Sequence, residues 1–273
     1  MKEVILNNGT KIPSIGVGVF RVEDANIAYE TVKTALSVGY RHVDTAMIYG
    51  NEEAVGKAIR DSGIPREEIF LTTKLWNDDQ RSGKVEEAIE ASLKRLGMEY
   101  VNLYLVHWPV KETYVSVWKK MEAVYKNGKA KAIGVSNYQT HHLADLLEEA
   151  EIIPAVNQIE CYPYLSQAAT IQYCLERNIR PEAWGPLGAG KSDILTNPVI
   201  TEIAKKRGLT PAQVVLGWNL ERGVIVIPKS IHKERLTENL KCTDFELTDE
   251  DMTRISALNK NLRLGADPDH FNF

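Results

Sequence analysis

Residues 101–107 read VNLYLVH, a mainly apolar run that ends in a histidine. Two earlier segments show the same pattern. HVD at 42–44 ends in an aspartate, and IFLTTK at 69–74 ends in a lysine. Short apolar or β-branched runs of this kind are typical of buried parallel strands. Their polar last residues should project from one end of the sheet, and a tyrosine follows the first run by five residues. The four residues concerned are Asp44, Tyr49, Lys74 and His107.

The same kind of run recurs along the chain and alternates with helical patterns. The strand candidates are Gly16–Phe20, His42–Asp44, Ile69–Lys74, Asn102–Val106, Ala132–Val135, Ala155–Ile159, Ile179–Trp184 and Val224–Ile227. Apolar residues at i, i+3 and i+4 spacing predict helices over Ala25–Val38, Glu52–Ser62, Lys84–Leu96, Val115–Lys126, Thr140–Glu149, Gln167–Glu176 and Pro198–Lys206. Alternating strands and helices require parallel strands with right-handed crossovers. Eight units without a linker predict one α/β domain over residues 1–273, a closed (β/α)8 TIM barrel rather than two doubly wound halves.

Both ends of the chain depart from this alternation. Residues 2–14 alternate in polarity around Asn8-Gly9, which predicts a β-hairpin that caps the floor of the barrel. The tail, Asn259–Phe273, contains glycine, proline and aspartate and ends in aromatic residues. We expect this irregular C-terminal tail to fold back onto the body, and the alternative is a frayed terminus.

Composition and charge exclude several classes of protein. With 44% hydrophobic residues, 26% charged residues and a formal charge of −4, the chain offers no attraction to nucleic acid or to membranes. No signal peptide and no membrane span are expected, because no apolar run approaches the ~18 residues needed. Three scattered cysteines, Cys161, Cys174 and Cys242, predict reduced packing thiols in a cytoplasmic protein. The pair His141-His142 is expected on a solvated helix face rather than in a metal site.

The four polar residues at the predicted strand ends can form a proton-transfer site. An unperturbed tyrosine has a pKa of about 10, and a nearby ammonium lowers that pKa by stabilising the phenolate. Lys74, held by Asp44, can supply this charge to Tyr49. His107 can donate a hydrogen bond to the oxygen that Tyr49 protonates. The alternative is a structural ion pair beside a satisfied core histidine, but the four residues together favour chemistry that needs neither a nucleophile nor a metal.

A second motif competes with this interpretation. Residues 185–192, GPLGAGKS, satisfy the Walker A pattern. A P-loop needs its lysine and serine to open a helix, yet Asp193 follows at once and Pro198 limits any helix there. We therefore interpret this segment as a glycine-rich loop after the seventh strand. The Rossmann fingerprint is also absent, since Gly16-Val-Gly18 lacks a third glycine and a following helix.

Four ordered motifs resemble the aldo-keto reductase family over essentially the whole chain. They are GYRHVDTAMIYGNEEAVG at 39–56, YVNLYLVHWP at 100–109, KAIGVSNY at 131–138 and IPKSIHKERLTENL at 227–240. The tail LRLGADPDHFNF resembles the prokaryotic branch that includes the 2,5-diketo-D-gluconate reductases. Four motifs of this length in this order are highly specific.

The resemblance implies an oxidoreductase that reduces aldehydes and ketones to alcohols with NADPH bound over the barrel mouth. It assigns proton donation to Tyr49, with Lys74 and Asp44 as its partners, and carbonyl orientation to His107. The implied cofactor positions are Gly18, Val19, Ser136, Asn137, Gln158, Trp184, Leu187, Gly188, Gly190, Lys229, Ser230, Arg235, Glu238 and Asn239. The implied walls of the substrate pocket are Phe20, Trp76 and Trp108.

The implied cofactor residues divide by the part of NADPH that each would contact. The nicotinamide carboxamide would be contacted by Ser136, Asn137 and Gln158, and the pyrophosphate by Leu187, Gly188 and Gly190. The 2′-phosphate would be contacted by Lys229, Ser230 and Arg235, and the adenine by Glu238 and Asn239. Trp184 would stack on the nicotinamide ring, and the alternative for it is a core tryptophan. Two cations and a hydroxyl near a helix N-terminus suit a phosphate dianion.

Two departures from the family pattern leave alternatives open. His232 stands where relatives often carry a basic residue, so NADH remains possible as a weaker cofactor. The stretch Pro109–Val115 is short for the family, which should leave the substrate pocket more open. The resemblance points to a monomer acting on a small carbonyl compound. The alternative function is a catalytically silent member that serves as a regulatory or structural subunit.

Overall fold

The computed structural model describes residues 2–273. Its strands are β1 (Glu3–Ile5), β2 (Lys11–Pro13), β3 (Val17–Gly18), β4 (His42–Asp44), β5 (Phe70–Leu75), β6 (Val101–Val106), β7 (Ala130–Ser136), β8 (Val156–Glu160), β9 (Arg180–Trp184) and β10 (Ile225–Val226). Its helices are α1 (Ala25–Ser37), α2 (Glu52–Arg60), α3 (Asn77–Ser82), α4 (Val85–Leu96), α5 (Ser116–Lys126), α6 (Thr140–Glu149), α7 (Ala168–Glu176), α8 (Pro198–Arg207), α9 (Pro211–Glu221), α10 (Lys233–Leu240) and α11 (Asp249–Ser256). No helix within residues 2–273 is both long and apolar enough to cross a bilayer.

Strands β3 to β10 form a parallel sheet whose neighbours follow chain order, and this sheet closes on itself. The seam lies between its first and last strands, where Ile15 and Val226 form a parallel bridge. The Gly18 amide then donates to the Pro228 oxygen over 3.3 Å. Because proline has no N–H to return a bond, the ladder at the seam is short. The predicted (β/α)8 barrel is confirmed, although the strands at the seam have only two residues each.

The seven predicted helices are present as α1, α2, α4, α5, α6, α7 and α8, with ends that differ by at most two residues. Each turns an apolar face to the barrel, as α4 does with Val85, Ile89 and Leu93. Gly97 ends that helix in the left-handed conformation, with φ of 63°. Helices α3, α9, α10 and α11 were not among the predicted set.

The N-terminal hairpin covers the floor of the barrel as predicted. Strands β1 and β2 pair antiparallel, and the turn between them contains Gly9 at φ 84°. Leu6 and Ile12 are buried against side chains from the amino ends of the barrel strands, including Phe70 and Val156. Asn8 Nδ2 donates to the Lys131 oxygen over 2.8 Å, which fixes the turn to the start of β7.

The tail after α11 has no regular structure, yet its backbone is bonded to the body. The Lys260 and Leu262 amides each donate to the Tyr164 oxygen over 3.0 Å. Further on, the Glu160 carboxylate accepts bonds from the Leu264 amide at 2.7 Å and the Gly265 amide at 3.0 Å. The tail therefore folds back over the carboxyl ends of the strands, as expected from its aromatic end.

Candidate active site

The four polar residues predicted from the strand ends lie together at the carboxyl mouth of the barrel. Asp44 ends β4, Lys74 lies in β5, and His107 follows β6 directly. Tyr49 lies in a 3₁₀ turn, residues 47–49, just after β4. Its ring centroid is 5.1 Å from the Lys74 ammonium and 5.8 Å from the His107 ring centroid. The structure thus brings all four side chains into one cluster.

Lys74 is the centre of this cluster. Its Nζ donates to Asp44 Oδ1 over 2.7 Å and to the Thr45 oxygen over 2.8 Å, and both charged side chains are almost completely buried. Burial opposes the charge on Lys74, but the negative partners outweigh it and raise the pKa of the ammonium. A buried lysine with two fixed acceptors holds its positive charge in place beside Tyr49.

The acidity of Tyr49 differs from the sequence-based expectation. Burial raises the pKa of Tyr49 above its ordinary value, and the Lys74 ammonium opposes this shift without reversing it. The expected lowering was therefore wrong in its net direction, because the sequence does not reveal how much water the ring loses. A raised pKa keeps the phenol protonated at neutral pH, which is the state that a proton donor requires.

His107 is a neutral imidazole in this environment. Burial first, and the Lys74 charge second, hold the pKa of His107 well below its usual range. Within residues 2–273 its buried Nδ1 has no hydrogen-bond partner. A neutral ring beside Tyr49 can donate one hydrogen bond to an oxygen bound at the mouth.

The residues expected at the nicotinamide are joined in one hydrogen-bond network. Asn137, at φ 65°, donates from Nδ2 to the His107 oxygen over 2.9 Å and accepts from Trp184 Nε1 over 2.8 Å. The Ser136 hydroxyl donates to the Gln158 main-chain oxygen over 2.9 Å. These bonds fix the partly exposed indole of Trp184 at the mouth beside the cluster of Asp44, Tyr49, Lys74 and His107.

Gln158 connects this network to the charged cluster through its side chain. Its Nε2 donates to Asp44 Oδ2 over 2.8 Å and to Glu182 Oε2 over 3.2 Å. Glu182 is a site residue that the sequence analysis missed, because it lies inside a strand whose run was interpreted as buried. The available signal was a carboxylate in the middle of that buried run.

The glycine-rich loop after β9 does not open a helix. Gly188 and Gly190 have φ of 77° and 68° and bound a 3₁₀ turn. Lys191 and Ser192 follow this turn, and α8 begins only at Pro198 with Asn197 as its cap. The structure therefore lacks the helix that a P-loop needs at this position, as the sequence analysis inferred. Leu187, half-buried, packs against the core and orients the loop along the mouth.

A group of unpaired cations lies at the start of α10. Lys229, Lys233 and Arg235 are exposed and form no ion pair within residues 2–273. His232 occupies the N-cap without a side-chain cap bond, so amides of the first turn are available. Ser230 is buried beside them and accepts a bond from the His232 amide at 3.1 Å. This arrangement suits a phosphate dianion.

The remaining positions expected to contact the cofactor lie in α10 and at the seam of the barrel. Glu238 accepts a bond from the Thr210 hydroxyl over 2.7 Å, and Asn239 is buried in the same helix. At the seam, a Cβ on Gly18 would lie 3.0 Å from the Ile227 oxygen, so the backbone approaches closely there. Val19 is fully buried; its amide donates to the Asp44 oxygen over 3.1 Å, and its oxygen accepts from Asn51 Nδ2 over 3.0 Å.

Aromatic side chains form the wall of the mouth. Phe20 is 52% exposed, with its ring centroid 4.9 Å from that of Tyr49. Trp76 stacks on Phe273 at 5.8 Å, and Trp108 contacts Phe271 at 5.2 Å between centroids. The tail thus adds two aromatic side chains to this wall. That the short Pro109–Val115 stretch leaves the pocket more open stays a prediction.

The pair His141-His142 anchors the tail. His141 Nε2 lies 3.0 Å and His142 Nε2 3.4 Å from Asp269 Oδ1, so these side chains could reach one metal ion. The main-chain amide of Gln139, however, donates to His142 Nδ1 over 3.2 Å. The proton of the neutral ring is therefore on Nε2. That nitrogen is then a donor to Asp269 rather than a metal ligand. Burial lowers the pKa of His142 to about 4, in agreement with a neutral ring.

Fold and site together define a (β/α)8 protein with Asp44, Tyr49, Lys74 and His107 clustered at its carboxyl mouth. The model of the Aldo/keto reductase family matches residues 14–260. Glyoxal reductase of Bacillus subtilis is 50% identical over 270 residues, which cover 99% of this chain and 97% of the relative. Methylglyoxal reductase DkgA of Salmonella typhimurium is 43% identical, over 97% of this chain and 96% of the relative. The chain belongs to the aldo/keto reductase family.

A solved structure agrees with this assignment. The crystal structure of an aldo-keto reductase enzyme from a Medee basin deep-sea metagenome library has a TM-score of 0.95 and 47% sequence identity. The match covers 99% of this chain and 100% of that one. Residues 2–273 thus form an oxidoreductase of the aldo-keto type that acts on carbonyl groups of small molecules and uses a nicotinamide cofactor.

Proposed function

We propose that this chain reduces small aldehydes and α-oxoaldehydes to alcohols with NADPH, and that Tyr49 gives the proton to the carbonyl oxygen. The observation that carries the proposal is the placement of Lys74, whose buried ammonium is held by Asp44 and the Thr45 oxygen 5.1 Å from the Tyr49 ring centroid. A structural ion pair would not need a tyrosine hydroxyl and an imidazole whose Nδ1 is unbonded within residues 2–273 beside it.

The four residues have separate tasks in this mechanism. His107 donates a hydrogen bond to the carbonyl oxygen, which fixes that oxygen next to the Tyr49 hydroxyl. Tyr49 transfers its proton to the same oxygen as negative charge develops there. Lys74 stabilises the resulting phenolate, and Asp44 keeps the ammonium in position. The phenolate regains its proton from solvent at the mouth after the alcohol leaves.

The chain's own residues fit a nicotinamide cofactor at the mouth. Trp184 offers an aromatic face beside Asn137. The two Nε2 hydrogens of Gln158 are directed to carboxyl groups, so its Oε1 is left to accept from a carboxamide. Ser136 and Asn137 border the same position. When bound there, a reduced nicotinamide supplies the hydride for the carbonyl carbon.

A preference for NADPH over NADH is part of the proposal. The unpaired cations Lys229 and Arg235, with the Ser230 hydroxyl, lie where a 2′-phosphate would gain charge-assisted bonds. Glu238 and Asn239 are proposed to border the adenine, and Leu187, Gly188 and Gly190 the pyrophosphate. Gly18 and Val19 are proposed to border the cofactor at the seam. His232 in place of a further basic residue leaves NADH as a weaker cofactor.

The substrate class is proposed from the wall of the mouth and from the relatives. Trp76 and Trp108 contact the tail aromatics Phe271 and Phe273, and Phe20 packs against Tyr49. Such an aromatic wall favours planar carbonyl compounds. Two bacterial relatives are named glyoxal reductase and methylglyoxal reductase, which supports the same class.

The proposal extends to the protein as a whole. We infer a single catalytic domain that works as a cytoplasmic monomer without nucleic-acid partners, in accord with its weak net charge. The catalytically silent alternative has no support, because the matched relatives are named as reductases.

The loss of NADPH absorbance with glyoxal, methylglyoxal and glyceraldehyde tests this function. We expect turnover with all three, with kcat/KM highest for the α-oxoaldehydes, and lower kcat/KM when NADH replaces NADPH. No turnover with a broad carbonyl panel, in protein shown to bind NADPH, would contradict carbonyl reduction. Equal efficiency with both cofactors would contradict the NADPH preference.

A further inference from the structure

Glu182 is a buried carboxyl group that the mechanism above does not use. It lies in β9, is fully buried and points into the barrel interior. The Gln158 amide nitrogen on the neighbouring strand bonds both to Asp44 Oδ2, at 2.8 Å, and to Glu182 Oε2, at 3.2 Å. One amide thus joins the carboxylate of the catalytic ion pair to a second carboxyl group.

No cation balances an ionised Glu182. Lys74 directs its bonds to Asp44 and the Thr45 oxygen. Within residues 2–273, no lysine or arginine nitrogen lies within 4.0 Å of the Glu182 carboxyl oxygens. A carboxylate that is buried without a cation is strongly disfavoured, and such groups take up a proton instead. The geometry therefore favours the neutral acid.

The groups that face Glu182 from each neighbouring strand agree with this state. They are His42 and Asp44 on β4, Lys74 on β5 and Gln158 on β8, while its register partner on β10 is Ile225. Burial, with the Asp44 charge in the same direction and Lys74 in the opposite one, raises the pKa of Glu182 to about 8. Burial lowers the pKa of His42 to about 3, so its ring is neutral, and its Nε2 lies 3.6 Å from Glu182 Oε1.

We propose that Glu182 is a positioning residue that works in its protonated form, with its hydroxyl towards His42 and its other oxygen holding the Gln158 amide. The hydrogens of that amide then face the two carboxyl groups, and Gln158 Oε1 is kept for the nicotinamide carboxamide. A neutral Glu182 also leaves Asp44 as the single carboxylate beside Lys74. The part that concerns the carboxamide rests on the proposed function, whereas the protonation state does not.

The variant Glu182→Gln tests the protonation state, because a glutamine copies the protonated acid at every pH. Wild type and E182Q are unfolded thermally between about pH 5 and about pH 8. With a folded pKa raised from 4.5 to about 8, the contribution of Glu182 to stability is fully present below pH 4.5 and is lost as the pH rises to 8. We expect the Tm of wild type to fall relative to that of E182Q across this range. A difference that stays constant, or that changes in the opposite direction, would overturn the protonated form.

A matched control and a measurement on the wild type complete this test. Glu52 is also a buried carboxylate, but it is paired with Arg95 at 2.7 Å and bonded by the Thr73 hydroxyl at 2.6 Å. We expect Glu52→Gln to lower the Tm at every pH in the same range, because it breaks a buried ion pair, which E182Q does not. If E182Q does not fold, the protonation state is tested in wild type at neutral pH by infrared spectroscopy. We expect the carbonyl band of a protonated carboxyl group. Absence of that band contradicts the proposal.

The positioning role is tested by cofactor binding rather than by turnover. Glu182→Met removes the acceptor for Gln158 while it keeps the volume of the side chain. We expect E182M to bind NADPH about fivefold to tenfold more weakly in a fluorescence titration, the effect of one lost hydrogen bond, and E182Q to retain wild-type affinity. Wild-type affinity in folded E182M would make Glu182 merely structural. Failure of wild type itself to bind NADPH would contradict the proposed function and leave the pH result intact.

Discussion

At the scale of single residues, the buried charge beside Tyr49 differs from the exposed charges that we propose recognise the cofactor. Lys74 is buried and fully engaged by Asp44 and the Thr45 oxygen. Lys229 and Arg235, in contrast, are exposed and unpaired within residues 2–273. A buried ammonium with fixed partners acts on a neighbouring group, whereas free surface cations beside helix amides are suited to bind a phosphate.

The first prediction concerns Arg235. We expect Arg235→Ala to weaken NADPH binding by about tenfold to a hundredfold, because a charge-assisted bond to the 2′-phosphate contributes about 1.5–3 kcal/mol. NADH binding should change little, since NADH has no 2′-phosphate. Fluorescence titration with both cofactors measures this effect. Lys241→Ala, at the other end of α10, is the control and should leave both affinities unchanged. Equal weakening of NADPH and NADH by Arg235→Ala refutes the assignment.

The cluster at the mouth could be predicted because Asp44, Lys74 and His107 are each the polar last residue of an apolar run. Glu182 was not predicted for the opposite reason, since it lies inside such a run and its partners come from other strands. The net pKa shift of Tyr49 was predicted in the wrong direction, because it depends on how deeply the ring is buried. Residue identity and spacing reveal candidate partners, but they do not reveal desolvation.

At the scale of elements, α2 follows the 3₁₀ turn of Tyr49 and packs against α4. Gly56 on α2 packs directly on the end of α4, where an added Cβ would lie 1.9 Å from the Leu96 oxygen. That neighbour is backbone and cannot rotate away. The contact between the two helices therefore requires glycine at this position, although glycine is a poor helix former.

We predict that Gly56→Ala lowers the free energy of unfolding by about 1–3 kcal/mol despite the higher helix propensity of alanine. Chemical denaturation with urea measures the change. The control is Gly217→Ala on α9, where the nearest atoms, at 2.8 Å, belong to the half-buried ring of Phe245, which can shift. A smaller loss in G217A than in G56A is expected. An unchanged or raised stability of G56A would mean that α2 can move away from α4 without cost.

Helix α9 shows why some elements escaped prediction. Its residues Val214, Val215, Leu216 and Trp218 are all buried, so no single apolar stripe marks the helix. A capping box between Thr210 and Gln213, with Pro211 at the first helical position, was the signal that remained. The fold-back of the tail was predicted, but the residues that it binds were not, because residues such as Glu160 are far away in sequence.

At the scale of the whole molecule, the barrel separates its stabilising end from its catalytic end. The hairpin side chains Leu6 and Ile12 fill the floor, while Tyr49, Lys74 and His107 lie at the mouth. The closed barrel could be predicted because eight regular units without a linker leave few other arrangements. The seam at Ile15 and Val226 could not, because it consists of isolated bonds rather than of a sequence pattern.

This separation leads to a prediction for the floor. Ile12 is fully buried, and we expect Ile12→Ala to lower the free energy of unfolding by about 2–5 kcal/mol. Because the site lies at the other end, kcat with methylglyoxal should be unchanged at temperatures where the variant is folded. Ile5→Ala is the matched control, since Ile5 lies in the same hairpin and is 64% exposed. A large loss of kcat in folded I12A would show that the two ends are not independent.

The central claim is that Tyr49 at the barrel mouth donates the proton in carbonyl reduction. The most direct measurement compares wild type with Tyr49→Phe, which removes only the hydroxyl, in NADPH-dependent reduction of methylglyoxal. We predict that kcat falls by about 10²–10⁴-fold, the usual contribution of a general acid, while the Kd for NADPH in a fluorescence titration stays within about twofold. A near-normal kcat in the folded variant would contradict the account, because another group would then have to supply the proton.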